Sequence, residues 1–503
     1  MSDSPFPFLL RLTALLVLTG LVTACGGETG DAAASPPERP NVLLIVIDDL
    51  GYADLAPFGQ TDESAPTPHL AELVSSGTAY TQAYVTAPVC SPSRVGLLTG
   101  KNQFRWDKPA SWGPGLPDSV RTIAEYLREA GYRTARIGKN DLGRNFHKHE
   151  PREYPLRHGY DEFLGFSAHA HDYWHLSDSI RDLTPDPRGT SAVLGPLMHN
   201  EGEKSYDGGY LTDILTDEAL NYLDTDDPSP FFLTLAYGAV HHLIHEVPRK
   251  YLDRYDVAPI ANYDPADTLS YRRHPAGSYA AYYDKYSRLG DIDTTAMRRY
   301  YLANLHCLDD NVGRLMTALR RRGLAENTLV ILVSDNGGSP LTGANNAPLA
   351  GGKYSLWEGG IRVPLAVSWP GHIEAGARAD HYVSALDILP TVAAAANVPL
   401  RDTLLDGRPL DQADDTRLLV WKWQKNWAVR RGDYKLTNAV ENHWKSAPSA
   451  QYLPPVSDEP TLKLFNVRTD PGERYDLAAE QPALVEELRD LYTRWCAAQI
   501  GRY

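Results

Sequence analysis

The residues most able to do chemistry lie in one short stretch, residues 90–101, which reads CSPSRVGLLTGK. It places a cysteine four residues before an arginine, with Pro92 between them. This pattern is typical of an enzyme nucleophile with a cation nearby. The five-residue pattern alone is of modest specificity, and its extension through Lys101 makes Cys90 the leading candidate nucleophile.

A second chemical group consists of oxygen donors in two widely separated pairs, Asp48-Asp49 and Asp335-Asn336. Three carboxylates and an amide suit Ca²⁺ or Mg²⁺, whereas zinc favours His and Cys. Either pair alone is also compatible with a simple turn after a strand. The sequence therefore marks these four residues as candidate metal ligands.

Continuous apolar runs precede these polar groups and predict the strands that position them. Residues 41–47 lead to Asp48, 133–137 to Lys139, 231–236 to His241 and 329–333 to Asp335. Unbroken apolar runs are typical of parallel strands covered on both faces. Because ligands bind at the carboxyl ends of such strands, we expect the four groups to converge on one site.

Composition limits the architecture and the partners. A chain of 503 residues that is 43% hydrophobic is long enough for one large core with a smaller appendage. The 49 basic and 64 acidic residues give a net charge of −15, which argues against nucleic acid and anionic membrane surfaces as partners. An anionic substrate would need a local positive field.

The first 40 residues predict export rather than folded structure. An arginine and a short apolar run precede Val22-Thr23-Ala24-Cys25, which indicates a signal peptide over residues 1–24 and lipidation of Cys25. A plain secretory signal is the alternative. Residues 25–40 read as a flexible tether. We therefore expect an exported protein, lipid-anchored in a bacterial cell envelope, at the periplasm or the cell surface.

The sequence also predicts helices between the strands and, after residue 404, a change to short antiparallel strands. Asp118 or Ser119 is expected to begin a helix that runs to Gly131, and a long helix is expected over residues 296–323. Residues 405–503 predict a subdomain of short antiparallel strands with a terminal helix. Cys307 and Cys496 are expected to be two separate buried thiols, with a disulfide between them as the alternative in an oxidising compartment.

Taken together, these motifs resemble the type I, formylglycine-dependent sulfatases, arylsulfatase-like members of the alkaline phosphatase superfamily. The resemblance covers nearly all of residues 41–500. Besides residues 90–101, it rests on further family landmarks at 48–51, 160–166, 210–217, 308–315, 334–338, 351–364, 427–436 and 470–473.

The resemblance implies an α/β fold in which a large mixed sheet is sandwiched by helices. The catalytic domain would span residues 41–404 and a small α+β subdomain residues 405–503. It also implies that Cys90 is oxidised to Cα-formylglycine by a formylglycine-generating enzyme. A hydroxyl of the hydrated aldehyde would attack sulfur, and re-formation of the aldehyde would expel sulfate. The implied cofactor is Ca²⁺, with Mg²⁺ less favoured, held by the four candidate ligands and by the modified Cys90.

The family pattern also assigns cations to the site. Arg94 would orient the nucleophile, while Lys139, His241 and Lys353 would bind sulfate or donate a proton to the leaving oxygen. Solvated surface lysines are the alternative for Lys139 and Lys353. For His241, the neighbours His242 and His245 are alternative candidates.

One position departs from the family pattern. Where relatives commonly read Gly-Lys-Trp-His-Leu-Gly, residues 138–143 read GKNDLG, so Asp141 stands in place of a histidine. An aspartate can accept a proton or orient Lys139, but it cannot supply a positive charge to sulfate.

Substrate selection is expected in residues 167–176, where His169 and His171 are candidate binding residues on a polar, aromatic surface. A surface loop with chance histidines is the alternative. The expected substrate is a sulfated carbohydrate or an aryl sulfate. Two other functions stay open: a phosphomonoester or phosphonate hydrolase, and an inactive sulfatase-like glycan-binding protein.

Overall fold

The computed structural model describes residues 39–59, 67–106, 113–143, 148–180, 192–271, 274–287, 294–401, 404–412, 414–438 and 461–499. The predicted signal peptide, Cys25 and nearly all of the predicted tether lie outside the described residues. No helix within the described ranges is long and apolar enough to cross a membrane.

Seventeen strands are assigned in the described residues. In chain order they are β1 Asn41–Ile47, β2 Thr78–Tyr84, β3 Arg133–Lys139, β4 Glu162–Phe166, β5 Ala170–His171, β6 Ala192–Val193, β7 Leu197–His199, β8 Gly202–Lys204, β9 Phe231–Ala236, β10 Thr328–Ser334, β11 Arg362–Val363, β12 Leu365–Ser368, β13 Ala377–Ser384, β14 Leu418–Trp423, β15 Asn426–Arg431, β16 Tyr434–Thr437 and β17 Lys463–Asn466.

Ten α-helices are assigned in the same ranges. They are α1 Pro68–Ser75, α2 Cys90–Thr99, α3 Ile123–Glu129, α4 Leu211–Leu223, α5 Arg249–Arg254, α6 Tyr279–Tyr286, α7 Thr294–Arg321, α8 Glu358–Ile361, α9 Ile388–Ala395 and α10 Pro482–Gln499.

A large mixed sheet forms the centre of the fold, and five adjacent strands in it run parallel in the order β10-β1-β9-β3-β4. All seven residues of β1 are buried, as the unbroken apolar run predicts. Antiparallel neighbours extend the sheet on both sides. The carboxyl ends of the five parallel strands therefore lie along one edge.

Helices cover both faces of this sheet. Leu43, Ile45 and Ile47 pack into a core with α4 and α7, while Val42 and Leu44 pack on the opposite face with α2, α3 and α9. Alternate residues of a strand point to opposite faces, so one apolar strand contributes to both cores. The predicted helix-sandwiched mixed sheet is confirmed.

A second sheet follows at the C-terminus. Strands β14, β15, β16 and β17 pair in sequence and antiparallel, and α10 packs against them through Val485 and Leu488. The small antiparallel sheet with one helix is confirmed as well.

One predicted helix boundary is wrong. Helix α3 begins at Ile123, three residues later than a cap at Ser119 would place it, because Thr122 and Glu125 form a reciprocal capping box. The long helix α7 begins at Thr294 and ends at Arg321, close to its predicted bounds. Cys307 and Cys496 are free thiols.

Candidate active site

Four parallel strands bring the predicted site residues to one edge of the sheet. Asp48-Asp49 follow β1, His241 follows β9 and Asp335-Asn336 follow β10, while Lys139 is the last residue of β3. His169 lies three residues beyond β4. The convergence predicted from the apolar runs is therefore present.

Cys90 occupies the first turn of α2, and Arg94 lies one turn further on. Residues four apart lie on the same face of a helix, so the helix presents the sulfur and the guanidinium together. The positive end of the helix dipole also favours negative charge at this position. Burial and the nearby Asp48 carboxylate raise the pKa of the Cys90 thiol, so as a thiol it stays protonated.

Two lysines and a carboxylate surround the sulfur of Cys90. Lys353 Nζ lies 3.3 Å from Sγ, and Sγ lies 3.4 Å from Asp48 Oδ1. Lys353 Nζ also donates to Asp49 at 2.7 Å, and Lys139 Nζ donates to Asp48 at 2.7 Å. Both lysines are fully buried, which excludes the surface-lysine alternative.

These lysines remain charged in spite of their burial. Burial disfavours the ammonium form, but the Asp48 carboxylate outweighs burial at Lys139 and the Asp49 carboxylate outweighs it at Lys353, so both pKa values are raised. The chain thus buries cations, each paired with a carboxylate, inside a protein of net charge −15.

The oxygen donors form a compact group suited to a cation. Donor atoms of Asp48, Asp49, Cys90 and His241 lie within 4.8 Å of one another. Asp335 Oδ1 accepts the Asp49 N–H at 3.3 Å, and Asn336 Nδ2 donates to Asp49 at 2.7 Å. Burial and the neighbouring Asp335 raise the pKa of Asp48 to about 7.

Asn336 supplies an independent sign of a ligand. Its Oδ1 atom is buried, and within the described residues it has no hydrogen-bond partner. A buried amide oxygen without a partner is costly and calls for an explanation. An oxygen-binding cation fits this position, and the carboxylate-rich donor set fits Ca²⁺ or Mg²⁺.

Arg94 is held rigidly by Asp335. Its Nε and one terminal nitrogen both lie 2.8 Å from Asp335 Oδ2, and a third nitrogen donates to the Lys139 carbonyl at 3.2 Å. A planar guanidinium held by several bonds has little rotational freedom. It therefore links the nucleophile helix to both β3 and β10.

Of the three candidate histidines after β9, His241 is the one that faces the carboxylates. Its Nδ1 lies 3.9 Å from Asp48 and its Nε2 3.9 Å from Asp49. His242 Nδ1 is instead 2.9 Å from the Ser287 carbonyl, and His245 Nε2 is 2.8 Å from the Tyr282 hydroxyl. Burial, with His242 and Lys353 nearby, lowers the pKa of His241, so its ring is neutral.

Asp141 connects the site to the segment after β4. Its Oδ2 lies 3.3 Å from Lys139 Nζ and 3.4 Å from His169 Nδ1. Burial opposes its ionisation, but Lys139 and His169 outweigh burial and lower the pKa of Asp141 below its usual range. Asp141 also has a φ of 48°, a left-handed conformation that is rare for a residue with a side chain.

The segment 167–176 is mostly buried rather than an exposed stacking surface. His169 keeps 20% of its side chain exposed and lies with its ring centroid 4.9 Å from that of His241. His171 is buried against Phe166, with Nδ1 2.7 Å from the Asp172 carbonyl. The structure therefore brings His169 into the site, whereas His171 packs in the core against Phe166.

One supporting residue was missed by the sequence reasoning. Arg136, buried in the middle of β3, donates from one terminal nitrogen to the carbonyls of Lys139 at 2.8 Å and Asn140 at 3.1 Å. It holds the turn that carries Lys139 and Asp141. A charged residue inside an otherwise buried strand is the signal that was available in the sequence.

Comparison with known proteins gives a consistent result. A family model described as Sulfatase matches residues 40–398. N-acetylgalactosamine-6-sulfatase of Mus musculus is 29% identical over 92% of this chain and 85% of its own length. Arylsulfatase A of Homo sapiens is 32% identical over 92% of this chain and 88% of its own.

A solved structure extends the similarity to the fold. The protein titled Ps i-CgsB, crystallised in complex with k-i-k-neocarrahexaose, superposes with a TM-score of 0.71 at 28% identity. The superposition covers 91% of this chain and 93% of that chain.

Proposed function

Because the chain belongs to the sulfatase family and is a sulfuric ester hydrolase, we propose that it removes sulfate from carbohydrates with a formylglycine formed from Cys90 and a bound Ca²⁺ ion. The observation that carries this proposal is the cluster around Cys90. Lys353 and Asp48 contact the Cys90 sulfur on the first turn of a helix, and hydrogen bonds or ion pairs connect them to a second lysine, an arginine and two further carboxylates, all buried.

The charges of the cluster support a divalent cation. Asp48, Asp49 and Asp335 balance Lys139, Lys353 and Arg94, so a bound divalent ion gives the site the positive charge that a sulfate ester needs. When bound, such an ion activates a hydroxyl of the nucleophile and polarises the ester. Asp48, Asp49, Asp335 and Asn336 would hold it, with the modified Cys90 as a further ligand.

The formylglycine proposal explains why a buried thiol occupies the site. The raised pKa of the Cys90 thiol makes it a poor nucleophile as it stands. A formylglycine supplies two hydroxyls on one carbon in its hydrated form, so release of sulfate needs no attacking water. A formylglycine-generating enzyme is the partner that this maturation requires.

The side chains around the nucleophile divide the remaining work. Lys139 and Lys353, both charged, bind the sulfuryl oxygens, where negative charge accumulates in the reaction. His241, whose ring is neutral, donates a hydrogen bond to the leaving oxygen of the ester. Asp141 orients Lys139 and His169, in the place where relatives commonly have a histidine.

A carbohydrate substrate is favoured over an aryl sulfate by two observations. The structural relative Ps i-CgsB was crystallised with an oligosaccharide. In this chain, His169 and His242 keep part of their rings exposed beside His241, and Tyr283 lies next to His242 with a centroid distance of 5.7 Å. Polar rings of this kind suit a sugar ring with many hydroxyls.

Mass spectrometry of the peptide that contains Cys90 tests the nucleophile. Protein made together with a formylglycine-generating enzyme should carry the aldehyde at Cys90, and Cys90→Ala should abolish turnover. An unmodified thiol in fully active protein would contradict the proposal.

Comparing the turnover of nitrophenyl sulfate with that of nitrophenyl phosphate separates the sulfatase from a phosphomonoester hydrolase. A panel of sulfated sugars tests the identity of the substrate.

Metal removal tests the cation. Dialysis against a chelator should abolish activity and lower the Tm, because a ligand that binds only the folded state stabilises it. Ca²⁺ should restore both, and stronger restoration by Mg²⁺ would reassign the ion. Asn336→Ala should weaken the Ca²⁺ response in the Tm, whereas Asn221→Ala, at an exposed position of α4, should leave it unchanged.

We also propose that the protein is exported and lipid-anchored through Cys25. The small residues before Cys25 and the apolar run before them support this location. Labelling with a fatty-acid analogue should mark the native chain, and Cys25→Ser should lose the label. A labelled Cys25→Ser variant would contradict the anchor.

A further inference from the structure

Three ionisable side chains are buried together between the large sheet and the C-terminal sheet. Glu358 begins α8, Lys435 lies in β16 and Glu473 follows β17, and their exposures are 0%, 0% and 1%. Lys435 Nζ lies 3.1 Å from Glu358 Oε1 and 2.8 Å from Glu473 Oε1. We call these three residues the buried ion cluster.

The buried ion cluster is tied to both sheets. Glu358 Oε2 accepts a hydrogen bond from the Tyr84 hydroxyl at the end of β2, and Arg430 of β15 donates to the same hydroxyl. Arg430 also donates to Gln82 at 2.7 Å. Removing charges from water is costly, and apolar replacements often stabilise a protein more than a buried ion pair does. A role in fixing geometry therefore explains this cluster better than stability does.

Glu473 fixes the backbone as well as the charge of Glu358. Its Oε2 accepts the Glu358 backbone N–H at 2.6 Å. The preceding residue, Trp357, packs against Phe465 of β17 with a centroid distance of 5.6 Å. Both the side chain and the main chain at the start of α8 are therefore held by the C-terminal sheet.

Only four residues separate Glu358 from Lys353, and backbone hydrogen bonds hold this segment at both ends. The Gly359 N–H donates to the Ala350 carbonyl at 2.7 Å, and the Lys353 N–H donates to the Gly338 carbonyl at 3.1 Å. A Cβ added to Gly337 would lie 1.8 Å from the Gly359 carbonyl oxygen. A shift of Glu358 must therefore move Lys353 and the turn that carries Asn336.

We propose that the buried ion cluster positions Lys353 against the nucleophile, so that Glu358, Lys435 and Glu473 are positioning residues of the hydrolase. This inference rests on the proposed role of Lys353 in binding the sulfuryl group. The C-terminal sheet then supports the active site without supplying a residue that touches the substrate.

The test uses the full chain, matured with a formylglycine-generating enzyme, in the variants Glu473→Gln and Lys435→Met. A small misplacement of a group that stabilises the transition state costs about 100-fold in rate. We expect kcat on nitrophenyl sulfate to fall by about that factor, and calorimetry should show weaker binding of inorganic sulfate. Arg431→Met, which breaks the exposed Arg431–Glu487 pair on the same sheet, is the matched control and should change neither.

A double-variant cycle separates positioning from a general loss of structure. In a Lys353→Ala background, Glu473→Gln should cause no further loss of sulfate affinity, because its effect acts through Lys353. Losses that multiply, or folded Glu473→Gln and Lys435→Met variants with parental kinetics, would overturn the proposal. If both variants fail to fold, Glu473→Asp keeps the charge but shortens the side chain and so withdraws the carboxylate from the Glu358 N–H, and the same cycle applies to it.

A crystal structure of Glu473→Gln with Cys90 unmodified makes the outcome independent of activity. Lys353 Nζ should move from its place 3.3 Å from Cys90 Sγ, and an unmoved lysine would refute the positioning role. If the parent protein has no sulfatase activity, the proposed function is refuted. The distance between Lys353 Nζ and Cys90 Sγ in the variant still tests the positioning role.

Discussion

At the scale of single residues, the site is built from buried charges that compensate one another. Lys139 and Lys353 each donate to a carboxylate that also belongs to the candidate metal group. Paired burial of this kind shifts pKa values and is characteristic of functional sites. The chemistry of Cys90 therefore depends on partners that come from four different strands.

Asp141 stands where the family pattern predicts a histidine, and its role can be measured. Asp141→Asn keeps the shape but removes the charge that holds Lys139 at 3.3 Å and His169 at 3.4 Å. We expect kcat/KM on the best sulfate ester to fall by about 10- to 100-fold. Asp118→Asn, at an exposed carboxylate, is the control. Unchanged kinetics in Asp141→Asn would remove Asp141 from the mechanism.

At the scale of elements, the strands were predictable because burial on both faces leaves an unbroken apolar run. That the residues after these strands would lie close together was also predictable, because parallel strands end at one edge of the sheet. The buried ion cluster was not predictable, because Glu358, Lys435 and Glu473 are far apart in the sequence and each resembles a surface charge. The burial of residues 167–176 was missed because it depends on Tyr173 stacking on Tyr210.

The start of α3 shows how a local hydrogen bond sets an element boundary. The Thr122 hydroxyl accepts the Glu125 N–H at 3.3 Å and donates to the His158 carbonyl at 2.6 Å. Thr122→Ala should lower the free energy of unfolding by about 1 to 2 kcal/mol, measured by urea denaturation. Thr122→Ser keeps the hydroxyl and should lose much less. Equal losses in the two variants would show that the methyl group matters and the cap does not.

His158, in the loop before β4, makes stability depend on pH. Burial and the nearby Arg136 lower the pKa of His158 to about 3, while its Nδ1 lies 3.1 Å from the Arg152 carbonyl. The folded protein keeps this ring neutral, whereas the unfolded chain binds a proton below about pH 6.5. The stability that His158 contributes is therefore complete above pH 6.5 and is lost as the pH falls towards 3.

Urea denaturation between pH 7 and pH 4 measures this effect. His158→Gln should flatten the decline of stability with falling pH, because the amide does not titrate. His199→Gln, at an exposed position, should leave the slope as it is. A parallel decline in all three proteins would assign the pH dependence to other groups.

At the scale of the whole molecule, a negative net charge surrounds a site in which cations and carboxylates balance one another. The chain carries −15 overall, yet its buried lysines and Arg94 meet at the carboxyl ends of the parallel strands. A polyanionic substrate is therefore attracted only at short range, where low dielectric strengthens the interaction. The fold obtains selectivity for a sulfate group from burial and geometry rather than from a basic surface.

The two sheets share an apolar core, which bears on whether residues 41–404 fold alone. Tyr84, Leu356 and Ile361 pack in one cluster with Trp421 and Trp423 of β14, and the Trp421 Nε1–H donates to the Val85 carbonyl at 2.7 Å. Burial of each large apolar side chain contributes about 2 kcal/mol. A chain that ends at residue 404 would expose this cluster and leave Glu358 buried without Lys435.

We therefore expect the fragment 39–404 to aggregate or to unfold without cooperativity, although the family model itself ends at residue 398. Calorimetry and size-exclusion chromatography, with the full chain in parallel, measure both properties. If the buried ion cluster positions Lys353, a soluble fragment should also fail to bind inorganic sulfate. A monomeric fragment with a sharp transition and parental sulfate affinity would instead show that the C-terminal sheet is a separate domain, and that Lys353 is held by its own loop.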